Sequence, residues 1–287
     1  MTNRTLVLGA TGTVGRLLLG ELSVHDVAVR GATRDPRRAM DIVGTAAHWV
    51  EFDLERPESS AGALDGIDRV FMISLPGDDD ADKFAGPFIE AMRSAGVQHV
   101  VHLSAMGTPE RPDFSLRKVE LLIETSGIPF THLRPNFFMQ VHSTGSLCQA
   151  IRDARRIALP AADARLSFID ARDVAAVAAR VLLDAPSHQN RSYTLTGPEA
   201  IDYHEVAAAI TRAIGHDVQY LPIDDDTTRN VLRSAGFTDR HIERLLAMYR
   251  LVRMGACEPV SADAAQLLSR PANRFEQFAA DHARCWQ

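Results

Sequence analysis

Cysteine is scarce in this 287-residue chain, with one at each of positions 148, 257 and 285. An odd number at wide spacing makes neither a zinc pattern nor a disulfide framework. A reducing, cytoplasmic setting is therefore expected, with the thiols as small buried apolar groups. With no zinc pattern among the cysteines, no metal is expected. Basic charge is not in excess: 31 Lys and Arg against 37 Asp and Glu leave a formal net charge of −6. That argues against strong attraction to nucleic acid or an acidic membrane, and direct nucleic-acid binding is not expected. No apolar run approaches the length of a bilayer span, so no membrane association is expected. The first residues lack a basic segment followed by a long apolar stretch and cleavage site, so no secretory signal is expected.

What the chain does have is ordinary globular composition, 46% hydrophobic and 24% charged, and a regular alternation of short apolar runs with helix-length amphipathic stretches. Strands are expected at Leu6–Leu8, from Val27 to near Thr33, at His48–Phe52, "RVFMIS", "HVVHLSAMG" and "PFTHLRP". Helices are expected between them, including "SLRKVELLIETSG" at residues 115–127. Strands apolar on both sides, alternating with helices, predict an α/β fold with a parallel sheet and right-handed crossovers. The alternation breaks after residue 140. "RLSFIDARDVAAVAARVLLD" then predicts a strand and a helix, "SYTLTG" one more strand, and the remainder mainly helix. The expected division is 1–140 with 168–197 as one domain, and 141–167 with 198–287 as a smaller lobe.

The most informative segment is "RTLVLGATGTVGRLLLGEL", residues 4–22. Gly9, Gly12 and Gly15 lie between the first strand and the first helix, where a dinucleotide fingerprint belongs. Glycine lets the backbone turn and approach a ligand, and a helix opening there points free N–H groups at a pyrophosphate. Thr11 and Thr13 add hydroxyl donors, and Val14 opens the helix. The end of the second strand selects the cofactor: an acid there accepts from the adenosine ribose, whereas an Arg pairs with a 2′-phosphate. Arg34 stands at that place with Arg37 and Arg38 behind it, which favours NADP. A shift of one residue would put Asp35 there and favour NAD.

Seven ordered blocks, among them "VLGATGTVG", "TRDPRRA", "HVVHLSAMG", "KVELLIETSGIPFTHLRPNFFMQ" and "YTLTGPEAIDYHEVAAAI", resemble the NmrA-like family of atypical short-chain dehydrogenases/reductases over nearly the whole chain. The resemblance implies a Rossmann-type doubly wound parallel sheet with a smaller, mainly helical C-terminal substrate lobe. It implies NADP (NADPH) as cofactor, with the glycine turn on the pyrophosphate and Arg34 and Arg38 near the 2′-phosphate. Asp53 and Leu54 would flank adenine. Ser74 and Leu75 would pass near the nicotinamide ribose, and Ser104 near the nicotinamide. Lys118 matches the lysine that binds ribose hydroxyls, and Lys118 and Ser104 are the catalytic candidates. Pro135, Asn136 and Phe137 would lie along the carboxamide, and Phe138, His142 and Met248 would face a small-molecule substrate. As plain structure, Ser104 would close a strand, Lys118 would sit in water and the two Phe would be core.

One departure matters. Dehydrogenases of the wider superfamily carry a Tyr four residues before the lysine, as proton donor. Here that position is Phe114, which has no proton to give. Three options stay open. In the first, the acceptor needs little acid, as a quinone or an iminium does. In the second, another group, among His102, His132, His142 and Tyr203, supplies the proton. In the third, the protein binds NADP(H) without turnover. The leading expectation is an NADPH-dependent reductase of an apolar conjugated carbonyl, quinone or imine. The alternatives are an NADP(H)-binding redox sensor and a non-redox tailoring enzyme on the same scaffold. A homodimer is left open.

Overall fold

A computed structural model describes residues 4–25, 27–74 and 80–287. In chain order the elements are β1 (Arg4–Val7), α1 (Thr13–Ser23), β2 (Ala28–Thr33), α2 (Pro36–Val43), β3 (His48–Glu51), α3 (Ser60–Leu64), β4 (Arg69–Ile73), α4 (Ala81–Ser94) and β5 (His99–Leu103). There follow α5 (Ser115–Thr125), β6 (Phe130–Pro135), α6 (Gly145–Ala154), β7 (Arg156–Leu159), α7 (Ala171–Leu183) and β8 (Arg191–Leu195). The last are α8 (Tyr203–Ile214), β9 (Gln219–Pro222), α9 (Asp225–Ser234), α10 (Asp239–Arg253), α11 (Asp263–Leu268) and α12 (Phe275–Asp281). Two compact units result. Unit 1 is residues 1–135, 171–195 and 266–269; unit 2 is 136–170, 196–265 and 270–287.

Unit 1 holds a seven-stranded sheet in the order β3-β2-β1-β4-β5-β6-β8, with every pairing parallel. The parallel sheet is as the alternation predicts, and its strand order is the doubly wound Rossmann arrangement that the family resemblance implies. The strand order reverses at the β1–β4 junction, and the loops at the carboxyl ends of strands on either side of such a junction are where ligands sit in open α/β sheets. One face of the sheet is covered by α3, α4 and α5, whose core includes Leu6, Val70, Met72, Phe88, Val100, Val119 and Ile123. Helices α1 and α7 pack on each other. β5 is buried at all five positions, as a central parallel strand requires.

Unit 2 is built on a core of Ile151, Ile157, Phe168, Tyr203, Ile210, Phe275, Phe278 and Trp286. Its helices carry legible caps: Asp202 and Glu205 form a reciprocal capping box on α8, which Gly215 ends in the left-handed conformation. It is less purely helical than expected, because β7 and β9 form a two-stranded parallel sheet. The strand expected at the start of "RLSFIDARDV" does not form. Leu166 exchanges hydrogen bonds with Ile201, the Ser167 N–H turns to the Cys257 carbonyl, and Ile169 pairs with Phe137 and Met139. Partners change at each residue, so two isolated bridges form and no ladder propagates.

Candidate functional site

The glycine turn follows β1 and opens α1. Gly9 has φ +61°, and a Cβ there would lie 2.7 Å from Ile73 Cδ1. A Cβ on Gly15 would lie 2.1 Å from the Gly9 carbonyl oxygen, so the first turn of α1 packs directly on the turn's backbone. The Gly12 N–H closes the turn on the Gly9 carbonyl at 2.8 Å. Gly12 is the N-cap of α1 and no side chain caps the helix. Asp35, Asp202, Asp224 and Thr238 cap α2, α8, α9 and α10 with their own oxygens, whereas α3, α4, α5, α6 and α12, like α1, begin without a side-chain cap; what sets α1 apart is the glycine turn in front of it. The start of α1 thus offers helix-end amides over an open glycine, which fits an anionic group. Thr11 is half-buried and Thr13 exposed beside it; Val14 and Gly15 are buried.

Arg34 follows the last residue of β2 and is exposed, as are Arg37 and Arg38. Asp35 is committed elsewhere: its carboxylate accepts the Arg38 N–H at 3.0 Å as the cap of α2. Past β3, the Asp53 carboxylate accepts the Glu55 N–H at 3.2 Å and lies 3.6 Å from the Arg56 guanidinium. Leu54 packs against the sheet's core. Leu75 lies outside the described residues.

The ends of β4, β5 and β6 carry polar groups on the face covered by α5. Ser74 follows β4, and its hydroxyl is 3.0 Å from His102 Nε2. His102 and His132 are register partners on β5 and β6, with Nδ1 atoms 3.2 Å apart. His132 Nε2 lies 3.5 Å from Glu124 Oε1. Ser104, just past the end of β5, has its hydroxyl 3.3 Å from Thr108 Oγ1, and its presence near Glu120 helps hold that carboxyl ionised. Glu120 is fully buried and takes two hydrogen bonds from Arg134, at 2.8 and 2.9 Å, and one from Arg117 at 2.9 Å. Arg117 also donates twice to Glu124, at 2.6 and 3.2 Å. Burial opposes the charge on Glu120, but the two guanidiniums and Ser104 outweigh it and hold the carboxyl below its ordinary range. Burial pulls His102 down to about 4 and His132 further, so both rings are neutral at neutral pH. Ligand atoms of Glu120, Glu124 and His132 lie within 4.8 Å of one another, yet both carboxylates are already engaged by guanidinium groups.

Lys118 is exposed on α5, away from the buried Leu116, Val119 and Ile123. Phe114 is the N-cap residue of α5, under the guanidinium of Arg111 at 4.0 Å. The Lys118 N–H returns to the Phe114 carbonyl at 3.2 Å. Pro135 ends β6 and accepts the Met106 N–H at 3.0 Å.

The remaining candidates belong to unit 2. Asn136 is buried and donates to the Ser167 hydroxyl and the Cys257 carbonyl, both at 2.8 Å. Phe137, Phe138 and Met248 are half-buried. His142 is fully buried among Phe168, Tyr203 and Phe275, with ring centroids 5.3, 5.9 and 5.1 Å away. Its Nδ1–H donates to the Met139 carbonyl at 2.9 Å, and burial lowers its pKa to about 4. Tyr203 is buried, and burial, with Tyr249 nearby, raises its pKa well above normal.

Sequence reasoning singled out Ser74, Ser104 and both histidines but missed the Glu120–Arg134–Arg117–Glu124 network. Its signal was present: Glu120 falls on the apolar face of α5 beside Leu116 and Ile123, and Arg134 interrupts an apolar strand.

Comparison with known proteins agrees with this architecture. The NmrA-like family profile matches residues 1–278, and the chain belongs to that family. It is 31% identical over 282 residues to the NAD(P)H azoreductase of Xenophilus azovorans, covering 97% of each chain. It is 34% identical over 287 residues to a Streptomyces griseus (4-alkanoyl-5-oxo-2,5-dihydrofuran-3-yl)methyl phosphate reductase, covering 98% of each. The fold superimposes on the triphenylmethane reductase of Citrobacter sp., solved with NADP(H), with a TM-score of 0.85 at 23% identity, covering 98% of this chain and 99% of that one.

Proposed function

We propose that the protein is an NADPH-dependent reductase that delivers hydride to an apolar conjugated acceptor of the quinone, enone, imine or azo-dye type. The observation that carries this reading is the uncapped start of α1 over Gly9 and Gly12, with Gly15 pressed against the turn. Two full-length relatives named as reductases support it, one of them NAD(P)H-dependent by name. The amides of Gly12 to Gly15 would hold the pyrophosphate, and Arg34 and Arg38 the 2′-phosphate. Asp53 and Leu54 would border the adenine, and Ser74, Ser104, Lys118 and Pro135 the nicotinamide half. Reduced nicotinamide, when bound, supplies the hydride; the chain binds, orients and excludes water. Unit 2 is assigned as the substrate lobe, with Phe137, Phe138 and Met248 as its apolar candidates and a small molecule as partner.

NADP is favoured over NAD because Asp35 is spent on capping α2 while Arg34 is exposed and without an ion pair among the described residues. A second reading, an NADP(H)-binding sensor without turnover, is supported by Phe114, which stands where the resemblance would put the superfamily's Tyr proton donor. Titration of the protein with NADPH and NADH, followed by a panel of quinones, enones, cationic dyes and azo dyes, decides between them. Consumption of NADPH with any acceptor supports the reductase; tight binding without consumption supports the sensor.

A further inference from the structure

We propose that Glu120, Glu124 and His132 form a site for one zinc ion, which enters by displacing the side chain of Arg117. The site lies within unit 1 and does not depend on the dinucleotide reading above.

Two elements supply the donors. Glu120 and Glu124 stand four residues apart on α5 and so share one face of the helix. His132 lies on β6 two residues before Arg134, so both side chains leave the same face of the strand. One ligand atom from each of Glu120, Glu124 and His132 lies within 4.8 Å of the other two. A tetrahedral zinc about 2.0–2.1 Å from nitrogen and oxygen donors holds them roughly 3.4 Å apart. His132 Nε2 and Glu124 Oε1 are at that spacing already, 3.5 Å apart. A small shift of Glu120 completes the set. No spacing along the chain announces such a site, because its donors meet through a helix face and a strand.

His132 Nε2 is the second observation. It is buried and has no hydrogen-bond partner, which is costly for a polar atom in the interior. Burial keeps the ring neutral at neutral pH, so it needs no second proton removed before it can bind a metal. With its one proton on Nδ1, the ring donates to His102 Nδ1 at 3.2 Å and offers the Nε2 lone pair to a cation. His102 Nε2 then donates to the Ser74 hydroxyl at 3.0 Å. A hydrogen bond from the far nitrogen is what orients a metal-binding imidazole.

Arg117 is the cation that now bridges the two carboxylates, at 2.9 Å to Glu120 and 2.6 and 3.2 Å to Glu124. Arg117 and Glu124 are both partly exposed, so the guanidinium can leave for water on their side. Arg134 keeps its two hydrogen bonds to Glu120, at 2.8 and 2.9 Å. A carboxylate has about four lone-pair sites, which leaves Glu120 one for the metal once Arg117 has gone. An imidazole with two carboxylates suits zinc rather than magnesium, which takes oxygen donors and keeps its waters.

Calorimetric titration of the untagged full-length chain with zinc chloride, with magnesium chloride alongside, measures the site, and X-ray absorption at the zinc edge identifies the donors. The expected result is one zinc per chain with one imidazole and otherwise oxygen around it, and no binding of magnesium. Arg117→Ala removes the competing cation and should tighten zinc about 10-fold. Glu124→Gln removes a charged donor and should weaken it by about 100-fold. An ion pair with a structural role only, or zinc held elsewhere, would not give these opposite effects. His132→Phe should abolish zinc binding; where that variant does not fold, the two charge variants and the absorption spectrum decide. Failure of the wild type to bind zinc overturns the site. Zinc surrounded by sulfur or by oxygen alone, or an affinity unmoved by Glu124→Gln, overturns it as well. Zinc binding that Arg117→Ala does not tighten overturns the displacement of Arg117.

Discussion

The carboxylate of Glu120, fully buried beneath α5, is gripped by the guanidinium of Arg134 on β6 through two hydrogen bonds of 2.8 and 2.9 Å. The pair ties the helix carrying Lys118 to the sheet strand that ends in Pro135. Removing one partner of such a pair strands a charge, which costs about 3–5 kcal/mol, whereas replacing both by apolar groups is often neutral. Arg134→Met is therefore expected to destabilise the protein by about that much, with Arg117 alone left on Glu120. The double variant Glu120→Leu with Arg134→Met should recover most of the loss. Urea unfolding of the three variants checks this, and a double variant as unstable as the single one contradicts it.

Gly15 is a second point of close approach. A Cβ there would meet the Gly9 carbonyl oxygen at 2.1 Å, with backbone on both sides and no flexible side chain to yield. Gly15→Ala should cost about 3 kcal/mol or more and lower Tm by roughly 6–12 °C. It should also weaken NADPH binding, since the strain acts on the same turn. Calorimetry and a cofactor titration on one variant measure both.

Arg34 tests the phosphate assignment. Charged hydrogen bonds contribute about 1.5–3 kcal/mol each, so Arg34→Ala should weaken NADPH roughly 10–100-fold and leave NADH nearly unchanged. Paired fluorescence titrations give the ratio. Equal loss for both cofactors would place Arg34 away from the 2′-phosphate.

Stability should be sensitive to mild acid. His99, His102 and His142 are each held near about 4, and His132 lower still, with burial the leading cause. A folded pKa below the unfolded value means that the unfolded chain binds more protons as pH falls below about 6.5. Stability is then flat above that pH and falls as pH drops toward 4, by up to about 1.4 kcal/mol per pH unit for each ring. Denaturant midpoints measured from pH 7.5 to 4.5 follow this directly. His142→Phe, in the aromatic core of unit 2, should flatten the slope by about one ring's share.

Much of unit 1 was legible because its signals are local. "RVFMIS" and "HVVHLSAMG" are buried on both faces, and α1, α2 and α5 declare themselves by spacing and by Gly, Asp and Ser at their starts. The strands β7 and β9 were not legible, since "RIAL" and "QYLP" are four residues each and are strands only through pairing with each other across the chain. "RLSFID" reads as a strand by composition but never keeps one partner for two residues running. At the site, the glycine turn and Arg34 could be placed by order along the chain. The pairing of His102 with His132, and of Glu120 with Arg134, depends on sheet register and on which face of α5 lies inward. Order along the chain does not carry that information. The same limit applies to Lys118, which family order puts four residues after Phe114 and which the fold leaves exposed.

The central claim is hydride delivery from NADPH, and one measurement tests it most directly. The full-length protein is mixed with NADPH and, separately, a quinone, an enone, a cationic triphenylmethane dye and an azo dye, and loss of reduced nicotinamide absorbance is followed beside product formation. The account predicts stoichiometric oxidation of NADPH with at least one of these acceptors, at a rate that falls with Arg34→Ala. Saturable NADPH binding with no oxidation by any of the four would contradict it and would leave a dinucleotide sensor in its place.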